Sequence, residues 1–151
     1  MINIRIVAVG GIKDGYFRDA VAEYSKRLGK YCRFEIIEVA EHSTKDVTSC
    51  IRAEALGIRE KIKGTVVLCD VCGKAMTSNG LAELIGRCSM NTSVITFVIG
   101  GSHGVGTEID DVVTHRISFS GMTFPHQLFR VMLVEQVYRA FTIINNEKYH
   151  K

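Results

Sequence analysis

Two short runs, "TVVLCD" (Thr65–Asp70) and "SVITFVI" (Ser93–Ile99), are apolar without the polar alternation of a half-exposed strand. Such runs are typical of strands buried on both faces, as in the middle of a parallel sheet covered by helices. Helix-length segments separate the strand-like runs, which predicts an α/β fold with a mainly parallel sheet and helices on both faces. The other strand candidates are Ile2–Gly10, Cys32–Ala40 and Arg116–Ser120.

The clearest helical segment is "YFRDAVAEYSKRLG" (Tyr16–Gly29), whose large apolar residues recur at helical intervals and which ends on a glycine suited to a C-cap. We find no repeat, low-complexity tract or linker, so we expect one domain over residues 1–151. The remaining helix candidates cover residues 43–63, 78–88, 108–113 and 125–145.

Composition narrows the class of protein only moderately. No apolar run approaches the roughly 20 residues that a membrane-spanning helix needs, so we expect no membrane anchor. The five cysteines are scattered and odd in number, which favours a reduced, cytoplasmic protein over a disulfide framework. A formal net charge of +3 tolerates a polyanionic partner but does not indicate one.

Ligands of open parallel sheets bind at the carboxyl ends of the strands, so the residues after each strand are the first site candidates. The segment "IGGSHGVG" (Ile99–Gly106) places four glycines after a buried strand, where the backbone can approach a bound molecule. It matches neither the P-loop nor the Gly-x-Gly-x-x-Gly template. A simple glycine-rich turn and a cofactor loop of another kind both remain open.

The segment "CDVCGK" (Cys69–Lys74) contains a Cys-x-x-Cys pair after another strand. This spacing occurs in redox dithiols and in half of a zinc site. A zinc site needs two further ligands, and a thioredoxin-like pair should open a helix, whereas a loop is expected after Gly73. Chance spacing is the favoured interpretation, and a dithiol is the main competitor.

The only proline, Pro125, follows the strand-like loop "SFSGMTF" and precedes a long apolar helix. We expect Pro125 at the first helical position, with Gly121 giving the loop a backbone geometry that other residues cannot adopt. The exposed backbone N–H and C=O groups of such a loop can bind the edge of a ligand.

The predicted last helix is apolar on nearly its whole circumference, so we expect it to be buried, partly against a second subunit. Glu135 and Arg139 are four residues apart and can pair, whereas Arg130 projects from almost the opposite side. Beyond the helix, Tyr149, His150 and Lys151 combine an aromatic ring with basic groups, which suits an RNA base and its phosphate as well as an ordinary frayed tail.

Three late motifs carry a family resemblance: "FVIGGSHG", "SFSGMTFPHQLFRVMLVEQVYRAF" and the terminal "KYHK". Together with the opening "IRIVAVGGIKDGYF", they resemble the ribosomal large subunit methyltransferase H family of the SPOUT class. The resemblance implies a fold whose C-terminal part forms a deep trefoil knot, and a homodimer. It also implies methyl transfer from S-adenosyl-L-methionine to N3 of a pseudouridine in 23S ribosomal RNA of the large subunit or assembled ribosome.

The resemblance places the cofactor at the three strand ends described above and implies no metal. The family commonly has a larger aliphatic residue where Cys69 stands, which is harmless if that contact is made by the backbone. The cofactor-binding residues that it implies are Cys69, Gly100, Phe119, Ser120, Gly121, Met122, Thr123 and Phe124.

The acceptor is a weakly acidic imide nitrogen, which needs either a general base or a nearby positive charge that favours its anion. The resemblance places Tyr149 and His150 in the active site, completing the pocket of the other subunit, and we rank Arg139 with them. His126 is a second candidate base, and Arg130 and Lys151 are candidate anion-stabilising groups. We expect all three residues to contact the RNA.

Two other functions remain open. One is a thiol oxidoreductase that uses Cys69 and Cys72, and the other is a ribosome-binding protein that has the fold without the activity. Thiol counting across a redox titration would separate the first from a methyltransferase.

Overall fold

The computed structural model covers residues 1–151 and contains five strands, four α-helices and one 3₁₀ turn at Thr107–Ile109. None of the helices is both long enough and apolar enough to cross a membrane. The elements are β1 (Asn3–Val9), α1 (Gly15–Leu28), β2 (Arg33–Val39), α2 (Val47–Lys61), β3 (Thr65–Ala75), α3 (Ser78–Ser89), β4 (Val94–Ile99), β5 (His115–Ser118) and α4 (His126–Ile144).

The five strands form one sheet in the order β2-β1-β4-β3-β5, and every neighbouring pair is parallel. The two largely apolar runs form β3 and β4, which lie inside the sheet with paired strands on both sides, as predicted. Phe97 in β4 pairs with Ile6 of β1 and Val67 of β3. The predicted parallel α/β architecture is therefore confirmed.

Helices cover both faces of the sheet because successive strand residues point to opposite sides. In β1, Ile4, Ile6 and Ala8 join the core beneath α1, α3 and α4, whereas Val7 and Val9 join the core beneath α2 and the 3₁₀ turn. The two cores lie on opposite faces of the same strands. This explains why the central strands tolerate no polar alternation.

Three predicted elements differ in extent from those in the structure. Helix α2 begins at Val47 rather than residue 43, because the Asp46 side chain accepts a hydrogen bond from the Thr48 N–H (3.1 Å) and caps the helix there. The predicted helix over 108–113 is only the 3₁₀ turn, and β3 runs on to Ala75 through the segment expected to be a loop.

The extension of β3 contains an irregularity opposite β5. Cys69 and Lys74 both pair with Ile117, so the residues between them bulge out of the ladder. Gly73 lies in the bulge, and a Cβ atom there would be only 2.7 Å from the backbone of Arg116 and Ile117. The glycine of "CDVCGK" thus permits a close approach between two backbones.

Helix α4 begins one residue later than predicted. Pro125 is the N-cap, with ψ of 135°, and its C=O accepts the first helical hydrogen bond from the Phe129 N–H (2.9 Å). An N-cap needs a non-helical ψ, which proline can adopt while its φ stays fixed. The role of Pro125 as the junction between loop and helix is unchanged by this shift.

Candidate active site

A cleft of about 750 Å³ opens at the carboxyl ends of β3, β4 and β5. Its walls come from three segments that are distant in the sequence: the end of β3 from Leu68 to Val71, the glycine loop from Ile99 to Val105, and the stretch from Ile117 to His126. Volumes of this size are typical of sites for small ligands and cofactors. The cleft therefore lies at the edge of the sheet where the strand ends predict a site.

The glycine loop folds back on itself at the mouth of this cleft. The Gly104 N–H donates to the Gly101 C=O (3.1 Å), and Gly104 has a φ of +82°, in the left-handed region that favours glycine. A Cβ atom on Gly100 would lie 2.6 Å from Val105 Cγ2 and 2.8 Å from the Gly104 carbonyl carbon. Gly100 is therefore required by close packing within the loop, which shapes this wall of the cleft.

The opposite wall is the loop from Phe119 to Phe124, which we call the backbone loop. Its internal side-chain contacts are few: Ser118 Oγ donates to the Ser120 C=O (2.9 Å), and Ser120 Oγ accepts from the Met122 N–H (3.0 Å). The other backbone N–H and C=O groups of the loop make no hydrogen bond within the chain. They are therefore available to bind a ligand.

Gly121 differs from the prediction in one respect. Its φ lies outside the left-handed region, and a Cβ atom there would meet nothing within 4 Å. No special backbone geometry therefore requires this glycine. All the predicted cofactor residues except Gly121 line the cleft.

The Cys69 thiol lines the cleft, and burial raises its pKa to about 12. A redox or nucleophilic cysteine needs the opposite shift, because the thiolate is the reactive form. Cys72 is exposed on the bulge, and all five cysteines are free thiols. This environment does not favour a dithiol oxidoreductase.

A second group of polar side chains lies along α4 and centres on Glu135, which sequence reasoning treated only as the partner of Arg139. Glu135 Oε1 accepts from Arg139 Nη2 (2.6 Å), from Arg139 Nε (3.0 Å) and from the Tyr149 hydroxyl (3.0 Å). The Arg139 Nη1 and His150 Nδ1 atoms are 3.2 Å apart. The structure thus brings together Arg139, Tyr149 and His150, with Glu135 holding two of them.

The hydrogen bonds define the donors and acceptors within this group. An arginine has no acceptor, so Arg139 donates to His150 Nδ1, and the ring proton lies on Nε2. Burial raises the pKa of the Tyr149 phenol, and its hydrogen bond to Glu135 adds to this shift. The group therefore offers the Arg139 guanidinium and one neutral N–H donor on His150, whereas the Tyr149 hydroxyl already donates its proton to Glu135.

The three predicted RNA contacts lie in different environments. His126 lines the cleft at the start of α4, and Lys151 is exposed. Arg130 is only 2% exposed: Nη2 donates to the Gly10 C=O (2.8 Å) and Nη1 to Glu38 Oε2 (3.2 Å). This burial contradicts the expectation that Arg130 contacts the RNA, since its guanidinium braces the end of β1 from inside.

We call Glu135, Arg139, Tyr149 and His150 the Arg139 group. Within one chain, this group does not line the large cleft. A smaller cleft of about 380 Å³ lies between α1, α3 and α4, and Glu135 is part of its wall. Phe119 lines both clefts. The side chains contain no group of three or more His, Cys, Asp or Glu that could hold a metal ion.

Known proteins are similar to this chain over its whole length. A family described as "Predicted SPOUT methyltransferase" matches residues 2–150. A Clostridium botulinum (strain Hall) protein named ribosomal RNA large subunit methyltransferase H is 45% identical, covering 99% of this chain and 100% of the relative. A Clostridium perfringens (strain SM101) protein named ribosomal RNA large subunit methyltransferase H 1 is 47% identical with the same coverage.

Two solved structures share the fold at low sequence identity. A probable methylase family protein from Haemophilus influenzae Rd KW20 has a TM-score of 0.57 and 14% identity, covering 98% of this chain and 70% of that one. The tRNA (m1G37) methyltransferase from Aquifex aeolicus has a TM-score of 0.51 and 14% identity, covering 90% and 69%. The chain belongs to the SPOUT family of methyltransferases, together with its full-length relatives named ribosomal RNA large subunit methyltransferase H.

Proposed function

We propose that this protein transfers a methyl group from S-adenosyl-L-methionine to N3 of a pseudouridine in 23S ribosomal RNA. The family membership and the names of the full-length relatives support a methyltransferase of large-subunit RNA. The observation that carries the proposal is the backbone loop, whose free N–H and C=O groups border a cleft of suitable volume.

The residues of the cleft fit this methyl donor. Unpaired backbone groups can recognise an adenine edge, and the apolar side chains of Ile99 and Phe119 can cover its ring. When bound, the donor supplies a methyl group on a sulfonium sulfur; transfer forms the N3–CH₃ bond, breaks the S–CH₃ bond, leaves a neutral thioether and releases the N3 proton. The task of the chain is to hold the reactants in place and exclude water.

The Arg139 group acts on the acceptor. The Tyr149 hydroxyl donates its only proton to Glu135, so its oxygen can accept a hydrogen bond from the pseudouridine, whereas His150 can donate from Nε2. Arg139 supplies the positive charge that favours the N3 anion. Electrostatic stabilisation of the anion, with release of the proton to water, is therefore the role that this arrangement supports best.

A homodimer joins the two groups of residues. Helix α4 buries one face, including Leu133 and Val137, whereas Val131 and Met132 on its other side remain only half-buried in a single chain. Covering this apolar surface with a second copy is favourable. The tail of one subunit then completes the large cleft of its partner, which a single chain leaves without Tyr149 and His150.

The remaining family features belong to the same proposal. The backbone loop and α4 are threaded as a deep trefoil knot that fixes the path of the loop. The enzyme works in the cytoplasm and acts on 23S RNA within the large subunit or the assembled ribosome. The modest net charge of +3 suits a substrate that is recognised by shape and by several ribosomal surfaces.

Mass spectrometry of 23S ribosomal RNA from cells with and without this protein tests the proposal. We expect N3-methylated pseudouridine to disappear in the deletion strain and to return with the wild-type protein but not with the Arg139→Met variant. If the modification persists in the deletion strain, the proposed reaction is wrong. Ribosome binding together with persistent modification would instead support a non-catalytic role.

A further inference from the structure

The chain reverses direction directly after α4. The Asn146 N–H donates to the Ile143 C=O (3.1 Å), the Glu147 N–H donates to the Thr142 C=O (2.8 Å), and Asn146 has a φ of +55°. These are the bonds and the left-handed residue of a Schellman motif, a position where asparagine replaces glycine at modest cost. The residues that follow are therefore turned back along the helix.

The Glu147 side chain then binds a second element. Its Oε1 accepts from Lys30 Nζ (2.9 Å) and its Oε2 accepts from the Tyr31 hydroxyl (2.6 Å). Both partners lie just after α1, and the Tyr31 ring stacks on Phe141 of α4 with centroids 5.7 Å apart and planes within 8°. The carboxylate is thus held at both oxygens by a turn that is itself packed against the helix.

Only Lys148 separates this attachment from Tyr149. The Tyr149 ring packs edge-on against Tyr138 (4.8 Å between centroids), its hydroxyl donates to Glu135, and His150 follows against Arg139. A short tether restricts the positions that the next residues can reach and so raises the local concentration of their side chains at the helix. Without it, a few single hydrogen bonds and one ring contact would hold the tail.

The exposure of the contact argues against a role in overall stability. The Lys30 side chain is 67% exposed and that of Glu147 is 36% exposed, and ion pairs at such sites contribute little to folding. Glu147 does, however, fix the direction of the segment that follows. Its effect should therefore be seen in the position of the tail rather than in the folding equilibrium.

We propose that Glu147, held by Lys30 and Tyr31, is a positioning residue that presents Tyr149 and His150 for methyl transfer. This inference rests on the proposed function, because the tail must act on the RNA for its position to affect the rate. The contact of Glu147 with Lys30 and Tyr31 would then affect how the RNA is held, and not how the cofactor binds in the large cleft.

The test compares Glu147→Ala and Glu147→Gln with the wild type and with Asp111→Ala, which removes an exposed ion pair to Arg59 beside α2. We expect Glu147→Ala to lower the single-turnover methyl-transfer rate on ribosomal substrate roughly tenfold. Glu147→Gln, which keeps an acceptor for Tyr31, should recover part of the rate. The Kd for S-adenosyl-L-methionine and the Tm should stay close to wild type, and Asp111→Ala should be fully active.

Hydrogen–deuterium exchange of the peptide covering residues 142–151 provides a readout independent of activity, and we expect faster exchange in Glu147→Ala. Wild-type rates in Glu147→Ala would overturn the inference while leaving the proposed function intact. So would a drop in Tm that accounts for the lost activity, since Glu147 would then be a folding residue. If the wild type itself transfers no methyl group, the proposed function fails, and unchanged exchange in Glu147→Ala would overturn the tail attachment as well.

Discussion

Replacing Arg130 by methionine distinguishes an internal brace from an RNA contact. The substitution keeps a long side chain but removes the donors to the Gly10 C=O (2.8 Å) and to Glu38 Oε2 (3.2 Å). A hydrogen bond that involves a charged group contributes about 1.5–3 kcal/mol to stability. The Glu38 side chain is 49% exposed and can return to water, so most of the loss comes from Gly10.

The substitution also removes a buried unsatisfied donor, because Arg130 Nε has no hydrogen-bond partner. Relief of that unpaired donor offsets part of the loss, and we expect the free energy of unfolding to fall by about 2 kcal/mol. For a domain of this size, the corresponding decrease in Tm is roughly 4–8 °C.

Thermal and urea unfolding followed by circular dichroism measure this change, at a fixed protomer concentration because dimer formation would add to the apparent stability. The matched control is Arg139→Met on the same helix, where loss of a partly exposed pair four residues apart should cost less than about 1 kcal/mol. Arg139→Met should instead abolish methyl transfer. An Arg130→Met variant with wild-type stability and a raised KM for ribosomal substrate would refute the brace and restore Arg130 as an RNA contact.

Three further predictions concern the cleft and the tail. Gly100→Ala should abolish S-adenosyl-L-methionine binding in calorimetry, because its Cβ would overlap the glycine loop, whereas Gly86→Ala, with nothing within 4 Å, should bind normally. Iodoacetamide at pH 8 should label Cys72 and spare Cys69, since burial raises the Cys69 pKa to about 12. The contribution of the buried, protonated thiol to the free energy of unfolding should be complete below pH 9.0 and be lost as the pH rises toward 12. Rapid labelling of Cys69 would contradict this. Tyr149→Phe should lower the transfer rate roughly threefold to tenfold with an unchanged cofactor Kd, as expected for one lost hydrogen bond.

The sheet was predictable because its evidence is local. The apolar runs of β3 and β4 report their own burial on both faces, and the helical spacing within α1 reports its buried stripe. The start of α2 could also have been found, since Asp46 is a good N-cap residue directly ahead of Val47. The segment from Ser43 to Asp46 contains no apolar residue, so apolar spacing does not support an earlier start.

The site was predictable only where its parts follow strands. The glycine loop and the backbone loop lie at strand ends, where a parallel sheet places its ligands. The role of Arg130 was not accessible, because its partners Gly10 and Glu38 are 120 and 92 residues away in the sequence. Glu135 was visible four residues before Arg139, but its third contact, to Tyr149, depends on the reversal of the chain after α4.

The unpaired backbone groups between Phe119 and Phe124 affect how this segment tolerates mutation. Recognition by N–H and C=O groups does not depend on which side chains the residues carry, so alanine at Met122 or Thr123 should leave binding largely intact. Proline at either position would remove a donor and restrict φ. In a saturation scan, Met122 and Thr123 should therefore accept a wide range of side chains while rejecting changes to the path of the chain.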